Sequence, residues 1–451
     1  MLHGPILIAV VLVAIVFIVV ATARFKVHPF LALIAAAYLT GFLVGMPLSE
    51  LVDTINTGFG NMMRHIGLVI VAGTLIGVIL EKSGGAICMA EKILALLGGR
   101  RPQLAMSLIG GLVSIPVFCD SGYVILSSLN QAIARRGRVP LASMSVALAT
   151  GLYATHTLVP PTPGPIAAAG NLGVSDYLGL VILVGLVVSL PAILVGYLWA
   201  IFVAARFPIE GEEVEEDETE LSLETRSLPA AWKSFAPLVI PVFLIGLSSI
   251  VKISGFEGRF ASLCIFLGTP ITALFIAFLF SLLLLPRRDA ALLNEWVKEG
   301  IYHGAPILLI TGAGGAFGAV LSATPISELV QGIAEGGLFD GALVLVLPFL
   351  IAAGLKSAQG SSTASLVMTS ALVAPFLPTL GITSPLQLTL MVMAVGAGSM
   401  TVSHANDSYF WVVTQFSGMS VNTAYKTLTL STLIQGITTF IMTFLLYAVF
   451  V

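Results

Sequence analysis

The sequence predicts an all-α polytopic membrane protein made of two inverted-topology repeats, each with a re-entrant helical hairpin and a broken helix. Three observations point there. Apolar stretches recur from Pro5 to Val451, and the longest reach about 20 residues or more, enough to cross ~30 Å of hydrocarbon. Sixteen of the twenty Lys and Arg residues can be placed on one side of a membrane by a single topology, as the positive-inside rule expects. That same topology makes the two halves of the chain mirror each other. With 57% hydrophobic and 10% charged residues and a mean hydropathy of +1.04, the 451-residue chain has too little charge to cover a water-soluble surface.

The apolar segments are 5–23, 29–46, 66–81, 103–118, 121–134, 141–158, 178–205, 235–251, 261–285, 304–322, 342–355, 361–376, 387–403 and 428–450. The first has no basic region before it and no polar stretch after it, so it reads as a retained helix and not as a signal peptide. Two pairs are short. Segments 103–118 and 121–134 meet at "CDSG", and 342–355 and 361–376 meet at "KSAQGSS". At ~1.5 Å per residue each reaches only part-way or barely across. Each pair therefore reads as a re-entrant hairpin, whose irregular tip is tolerated only against protein or a watery cavity.

Charge orients the model. Arg100 and Arg101 enter the first hairpin and Arg135, Arg136 and Arg138 leave it, so both ends face the cytoplasm. Arg24, Lys26, Lys82, Lys92, Arg206, Arg226, Lys233, Arg287, Arg288, Lys298 and Lys426 then fall on that side. Arg64, Lys252 and Arg259 fall outside, and Lys356 lies within the membrane. Both termini are expected outside. Residues 1–205 form the first repeat, 206–233 an acidic cytoplasmic linker with the run "EGEEVEEDETE", and 234–451 the second repeat. Such a run is most simply a solvated connector.

Motif order supports the repeat. "GLVIVAGTLIGVILEKSG" (67–84) precedes "CDSG" (119–122) and "ATHTLVPPTPGP" (154–165). In the second half "GAPILLITGAGGAFGAVL" (304–321) precedes "AQGSS" (358–362) and "TVSHANDS" (401–408). The spacing is 46 residues from Thr74 to Asp120 and 48 from Gly312 to Gly360. Inverted repeats of this kind are associated with secondary transporters that expose a midplane site alternately.

Four polar stretches converge on the predicted repeat interface. In the first hairpin Asp120 either caps the following helix or acts as a proton- or substrate-linked acid, since a buried carboxylate needs a partner or a proton. Ser121 and Gly122 open a helix whose N–H groups can receive an anion. In the second stretch Pro160, Pro161, Pro163 and Pro165 stop a helix beside His156 and Thr157, leaving backbone groups open to a ligand. His156 is either a packing residue or a proton carrier, and it recurs as His404. The third stretch, "GSMTVSHANDSYFW" from Gly398, is too polar for lipid contact; His404 and Asp407 are candidate protonatable groups, and Ser403 and Asn406 candidate hydroxyl binders. The fourth holds Lys356, Gln359, Ser361 and Ser362. A lysine at depth pairs with an acid or an anionic substrate, loses its proton, or snorkels. Gly312, Gly314, Gly315 and Gly318 give either close helix packing or a small-residue wall against substrate.

Several function classes are excluded. The chain has no GxxxxGK[ST] motif and no basic block for nucleic acid. Its three cysteines (Cys88, Cys119, Cys264) lie in apolar surroundings without a CxxC, which argues against a disulfide framework or zinc site. No cofactor or metal is expected. An ion gradient is the remaining energy source, with a proton the simplest ion and sodium the rival. An intramembrane enzyme using Asp120 and Asp407, and a passive channel, are more distant alternatives.

The runs "GSMTVSHANDSYFW", "GAGGAFGAVL" and "PVFCDSG" resemble the gluconate permease family of bacteria, and the likeness extends over nearly the whole chain. The resemblance implies a proton symporter of the cytoplasmic membrane, with gluconate or a related small hydroxy-carboxylate as its substrate. D-serine, idonate, fructuronate and glycerate are the other substrates the family implies. His404, Ala405, Asn406 and Asp407 match the family's histidine–Xaa–asparagine–aspartate order. Expected partners are the organic anion, protons, membrane lipid and, as a candidate, a second copy of the chain. On physical grounds Lys356 or a hairpin N-terminus would seat the carboxylate, with Ser121, Thr157, Ser361, Ser403 and Asn406 around the hydroxyls.

Overall fold

The structure is a computed structural model and describes residues 5–97, 101–207, 209, 228–254, 257–286, 289–324, 341–405 and 407–451. The acidic run 210–224 and the candidate Asn406 lie outside the described residues. Those described are helical throughout, with no strand. Among the described residues six helices are long and apolar enough to cross a membrane, seven if one bent pair counts as a single span.

The first half comprises α1 (Pro5–Ala23), α2 (Pro29–Val44), α3 (Leu48–Met62), α4 (Leu68–Lys82), α5 (Gly85–Leu97), α6 (Pro102–Val113), α7 (Cys119–Gly137), α8 (Leu141–Leu158), α9 (Pro163–Asn171) and α10 (Leu178–Phe202). The second comprises α11 (Ala231–Ser254), α12 (Arg259–Leu267), α13 (Pro270–Ser281), α14 (Ala290–Ser322), α15 (Val346–Gln359), α16 (Ser362–Val373), α17 (Pro385–Met400), α18 (Ser408–Ser417), α19 (Val421–Ala424) and α20 (Leu430–Phe450).

Local chemistry sets many of the boundaries. Prolines stand in the first turn of α2, α6, α9, α13 and α17, where the missing N–H removes no helix bond. A capping box of Ser384 and Gln387 starts α17. Gly360 ends α15 with φ at 80°, a left-handed conformation that glycine adopts without Cβ strain.

Three expected segments differ. Segment 66–81 is the end of a longer element, because α3 runs through a π-helical stretch, Met63–Gly67, into α4. Segment 304–322 is likewise the apolar part of α14, a 33-residue helix capped by Asp289. Hydropathy alone misses the polar turns bearing Glu295, Lys298 and Glu299. Segment 261–285 is not one straight span: α12 and α13 meet at 66°. A Cβ on Gly268 would lie 2.3 Å from the Leu244 carbonyl, and Pro270 starts a fresh helix.

Packing recurs between the halves. The first helix of each short pair lies on the helix before the break, α6 on α8 and α15 on α17. Those helices pack in turn on α10 and α20. The second helix of each pair crosses to the other half, α7 against α18 and α16 against α9. Gly312 and Gly315 of α14 serve close packing against α3, the first of the two readings above. A Cβ on Gly312 would meet the Phe59 ring at 2.4 Å, and one on Gly315 would lie 2.2 Å from Met62.

A buried lysine and aspartate at the second chain break

The two helix breaks fall where the proline and polar runs predict. Residues 159–162 separate α8 from α9, and 401–407 separate α17 from α18. The hairpin reversals lie slightly elsewhere. In the first, 114–118 form the reversal and "CDSG" already makes the first turn of α7. In the second, Gly360 and Ser361 alone separate α15 from α16, and Lys356 sits in the last turn of α15.

Lys356 is 0% exposed. Its Nζ donates to Asp407 Oδ2 at 2.5 Å and to the Gly360 carbonyl at 3.1 Å. The ammonium also lies 5.6 Å from the centre of the Tyr153 ring, within range of a cation–π attraction. A buried lysine is tolerated when paired and hydrogen-bonded in this way. Asp407 is 3% exposed and caps α18, its Oδ1 accepting from the Tyr409 N–H at 3.1 Å. The Ser403 hydroxyl donates to Oδ2 at 2.5 Å. Ser403 is held in turn, its N–H donating to Thr432 Oγ1 at 3.0 Å and its carbonyl accepting from Thr429 Oγ1 at 2.6 Å.

The first half reaches this pair from two sides. Ser408 Oγ donates to Asp120 Oδ1 at 3.5 Å, so the acid of α7 stands one residue from the acid of the second break. Tyr153 and Tyr409 stack at 5.1 Å, and the Tyr409 hydroxyl donates to the Ala149 carbonyl at 2.8 Å. His156 is 4% exposed, and its Nδ1 has no hydrogen-bond partner among the described residues. Its ring lies 5.9 Å from Phe118, which is 6.0 Å from His303 of α14 on another side.

The remaining candidates divide. His404 donates from Nε2 to the Ser357 carbonyl at 2.9 Å, tying the second break to α15. Ser361 caps α16, accepting from the Ala364 N–H at 3.2 Å, and Ser362 lies against Tyr153. Gln359 points to Met368 Sδ at 3.4 Å. Ser121 hydrogen-bonds Glu81 at the end of α4, where Lys82 and Glu299 pair at 2.9 Å. Gly122 is buried beneath Leu152. Thr157 turns its hydroxyl back to the Tyr153 carbonyl of its own helix at 3.2 Å.

Sequence reasoning missed Tyr153, Tyr409, Thr429 and Thr432. Tyr153 stands three residues before His156 and so shares its helix face. Thr432, Gln435, Thr439 and Thr443 recur at helical spacing and are all 0% exposed, a polar stripe that signals an inward face. Gln435 donates to the carbonyls of Thr150 and Ala192, each at 3.0 Å.

The chain matches the profile of the GntP family permeases over residues 6–449. It belongs to that family. This permease is 33% identical over 434 residues to a gluconate permease of Pseudomonas aeruginosa, covering 95% of each chain. It is 32% identical over 454 residues to the D-serine transporter DsdX of Escherichia coli, covering 99% of each. The crystal structure of the YdaH transporter of Alcanivorax borkumensis superposes with a TM-score of 0.69, covering 93% of this chain and 98% of that one. At 16% identity that likeness bears on the fold alone. Family membership makes this permease a multi-pass secondary transporter and not an enzyme.

Proposed function

We propose that this permease imports gluconate or a related small hydroxy-carboxylate with a proton across the cytoplasmic membrane. The observation that carries the reading is the buried Lys356–Asp407 pair, formed where the second short helix pair meets the second break. Lys356 offers the cation a carboxylate needs. Asp407 and Asp120 offer carboxylates that can hold the proton. Ser361, next to Gly360, and Ser408, next to Asp407, supply hydroxyls beside the pair. A monoanion moving with one proton carries no net charge, so the chemical gradients alone drive it.

The two halves read as an inverted-topology pair working by alternating access. Supporting this, α6 on α8 and α8 on α10 in one half correspond to α15 on α17 and α17 on α20 in the other. The second hairpin helix of each half also crosses to the post-break helix of its counterpart. The sequence adds opposite directions for the two hairpins, the first opening inward and the second outward. On this reading residues 1–205 and 234–451 are the repeats, both termini lie outside, and the acidic linker is cytoplasmic.

One observation favours a second substrate. D-serine carries an ammonium as well as a carboxylate, and Asp120, which accepts from its own backbone N–H and at 3.5 Å from Ser408, stands where it could receive one. Uptake of labelled gluconate and D-serine into proteoliposomes, with the pH gradient and the sodium gradient imposed separately, tests both readings. Proton-driven gluconate accumulation is expected. Accumulation driven by sodium alone would replace the coupling ion, and preference for D-serine would replace the substrate.

A further inference from the structure

We infer that the substrate carboxylate and the Asp407 carboxylate are alternative partners of one ammonium, so that Asp407 must take up a proton before this permease can hold its anion. The inference rests on the carboxylate reading above and adds the means of coupling.

Lys356 Nζ has three donor positions. In the structure it bonds Asp407 Oδ2 and the Gly360 carbonyl, and its remaining side meets the face of Tyr153. The side chain is 0% exposed, so water does not offer a spare coordination site. An arriving carboxylate can gain this cation only by replacing one of these partners. The Gly360 carbonyl is neutral and belongs to the same turn, whereas Asp407 carries the charge that an anion would repel.

The groups facing Asp407 set the charge count. From α15 comes Lys356, from α7 Asp120 and Cys119, from α8 Tyr153 and His156, and from α18 Tyr409. Ser403 and His404 stand in the break itself, and α20 contributes only the neutral hydroxyls of Thr429 and Thr432 behind Ser403. Among these groups the one lysine is bonded to Asp407 and lies within electrostatic reach of a second carboxylate, Asp120, before any substrate enters. A third anion beside one cation, in a region of low dielectric, is strongly disfavoured. Protonating Asp407 removes that obstacle and leaves Lys356 with the incoming carboxylate as its counter-ion.

The surroundings of Asp407 can accept that change. Oδ1 continues to accept from the Tyr409 N–H. Oδ2 gains the proton and donates it to Ser403 Oγ, so the Ser403 hydroxyl passes from donor to acceptor without moving. The carboxyl group thus stays hydrogen-bonded in both states, as a buried polar group requires. Ser361 at the hairpin reversal and Ser408 beside Asp407 are exposed, which gives ligand and proton an approach to the buried pair.

The exchange is read from proton counts. Purified permease in weakly buffered detergent solution is mixed with gluconate, idonate or D-serine, while a pH indicator and a binding measurement are followed together. The wild-type protein is expected to take up about one proton per ligand bound, and its apparent Kd to rise about tenfold per pH unit wherever binding is coupled to that uptake. Asp407→Asn, which resembles the protonated acid, is expected to bind with no proton uptake and no such pH dependence. Because that variant leaves Lys356 without its counter-ion and can fold poorly, the wild-type proton count stands as an independent measurement. Ligand binding without proton uptake in the wild type, or uptake that persists in Asp407→Asn, overturns the exchange and leaves the substrate reading standing. If none of the three carboxylates binds, the substrate reading falls and takes the exchange with it.

Discussion

Lys356 and Asp407, separated by 51 positions in the chain, form a salt bridge with both side chains almost wholly out of solvent. The lysine comes from the last turn of one helix and the aspartate from the cap of another. Neither end is isolated: Gly360 and Tyr153 hold the ammonium, and Ser403 and the Tyr409 N–H hold the carboxylate. Breaking such a pair from one side leaves an uncompensated buried charge, whereas removing both charges does not.

The first prediction follows from that asymmetry. Lys356→Met alone should destabilise the protein by about 3–5 kcal/mol, seen as a large fall in the melting temperature in detergent. Adding Asp407→Asn to it should restore most of the stability but none of the accumulation of substrate. If the double variant is less stable than the single one, the pair is not what holds these side chains in place.

Asp120 provides a test of substrate chemistry. Asp120→Asn removes the acid that a substrate amine would meet, and a charge-assisted hydrogen bond contributes about 1.5–3 kcal/mol. The apparent Kd for D-serine should rise roughly tenfold or more by the same principle, with a smaller change for gluconate. An equal change for the two ligands would remove the amine seat.

The glycines of α14 yield a prediction about packing. Gly315 faces Gly58 and Met62 of α3, where a Cβ would lie 2.7 Å from the Gly58 carbonyl. Gly315→Val should force α3 and α14 apart and cost about 1–3 kcal/mol, while Gly354→Ala, whose Cβ would meet nothing within 4 Å, should not. A melting temperature unchanged by Gly315→Val would contradict the packing assignment.

The orientation is open to direct labelling. A cysteine replacing Glu216 in the acidic run should resist an impermeant thiol reagent applied to intact cells and react once the membrane is opened. Labelling in intact cells would invert the topology drawn from the basic residues.

Much of the fold was legible because its signals are local. Membrane insertion follows from composition. The break at 159–162 follows from Pro160 and Pro161, which lack the N–H a continuing helix needs, while Pro163 and Pro165 fall in the first turn of α9, where that loss removes no helix bond. The break at 401–407 follows from polar residues that lipid cannot accommodate. The exact chain reversal was less legible: Asp120 already lies inside α7, because a small polar residue suits both a tip and a first helical turn. The amphipathic starts of α3 and α14 were missed for a similar reason, since a hydropathy window registers only the apolar end.

The amino-acid sequence by itself determined the membrane class, the order of hairpins and breaks, and a short set of polar residues that had to be satisfied inside. Only the tertiary structure decided which of them satisfy one another. Lys356 could have met an acid, an anion or the membrane surface, and the packing of α15 against the second break made Asp407 its partner. Gly312 and Gly315 could have faced a ligand, and the approach of α3 made them contact surfaces. Tyr153 joined the site because α8 carries it beneath the ammonium. A residue's chemistry states what kind of partner it needs. Which partner it receives depends on the distance between segments far apart in the chain, and helix packing alone sets that distance.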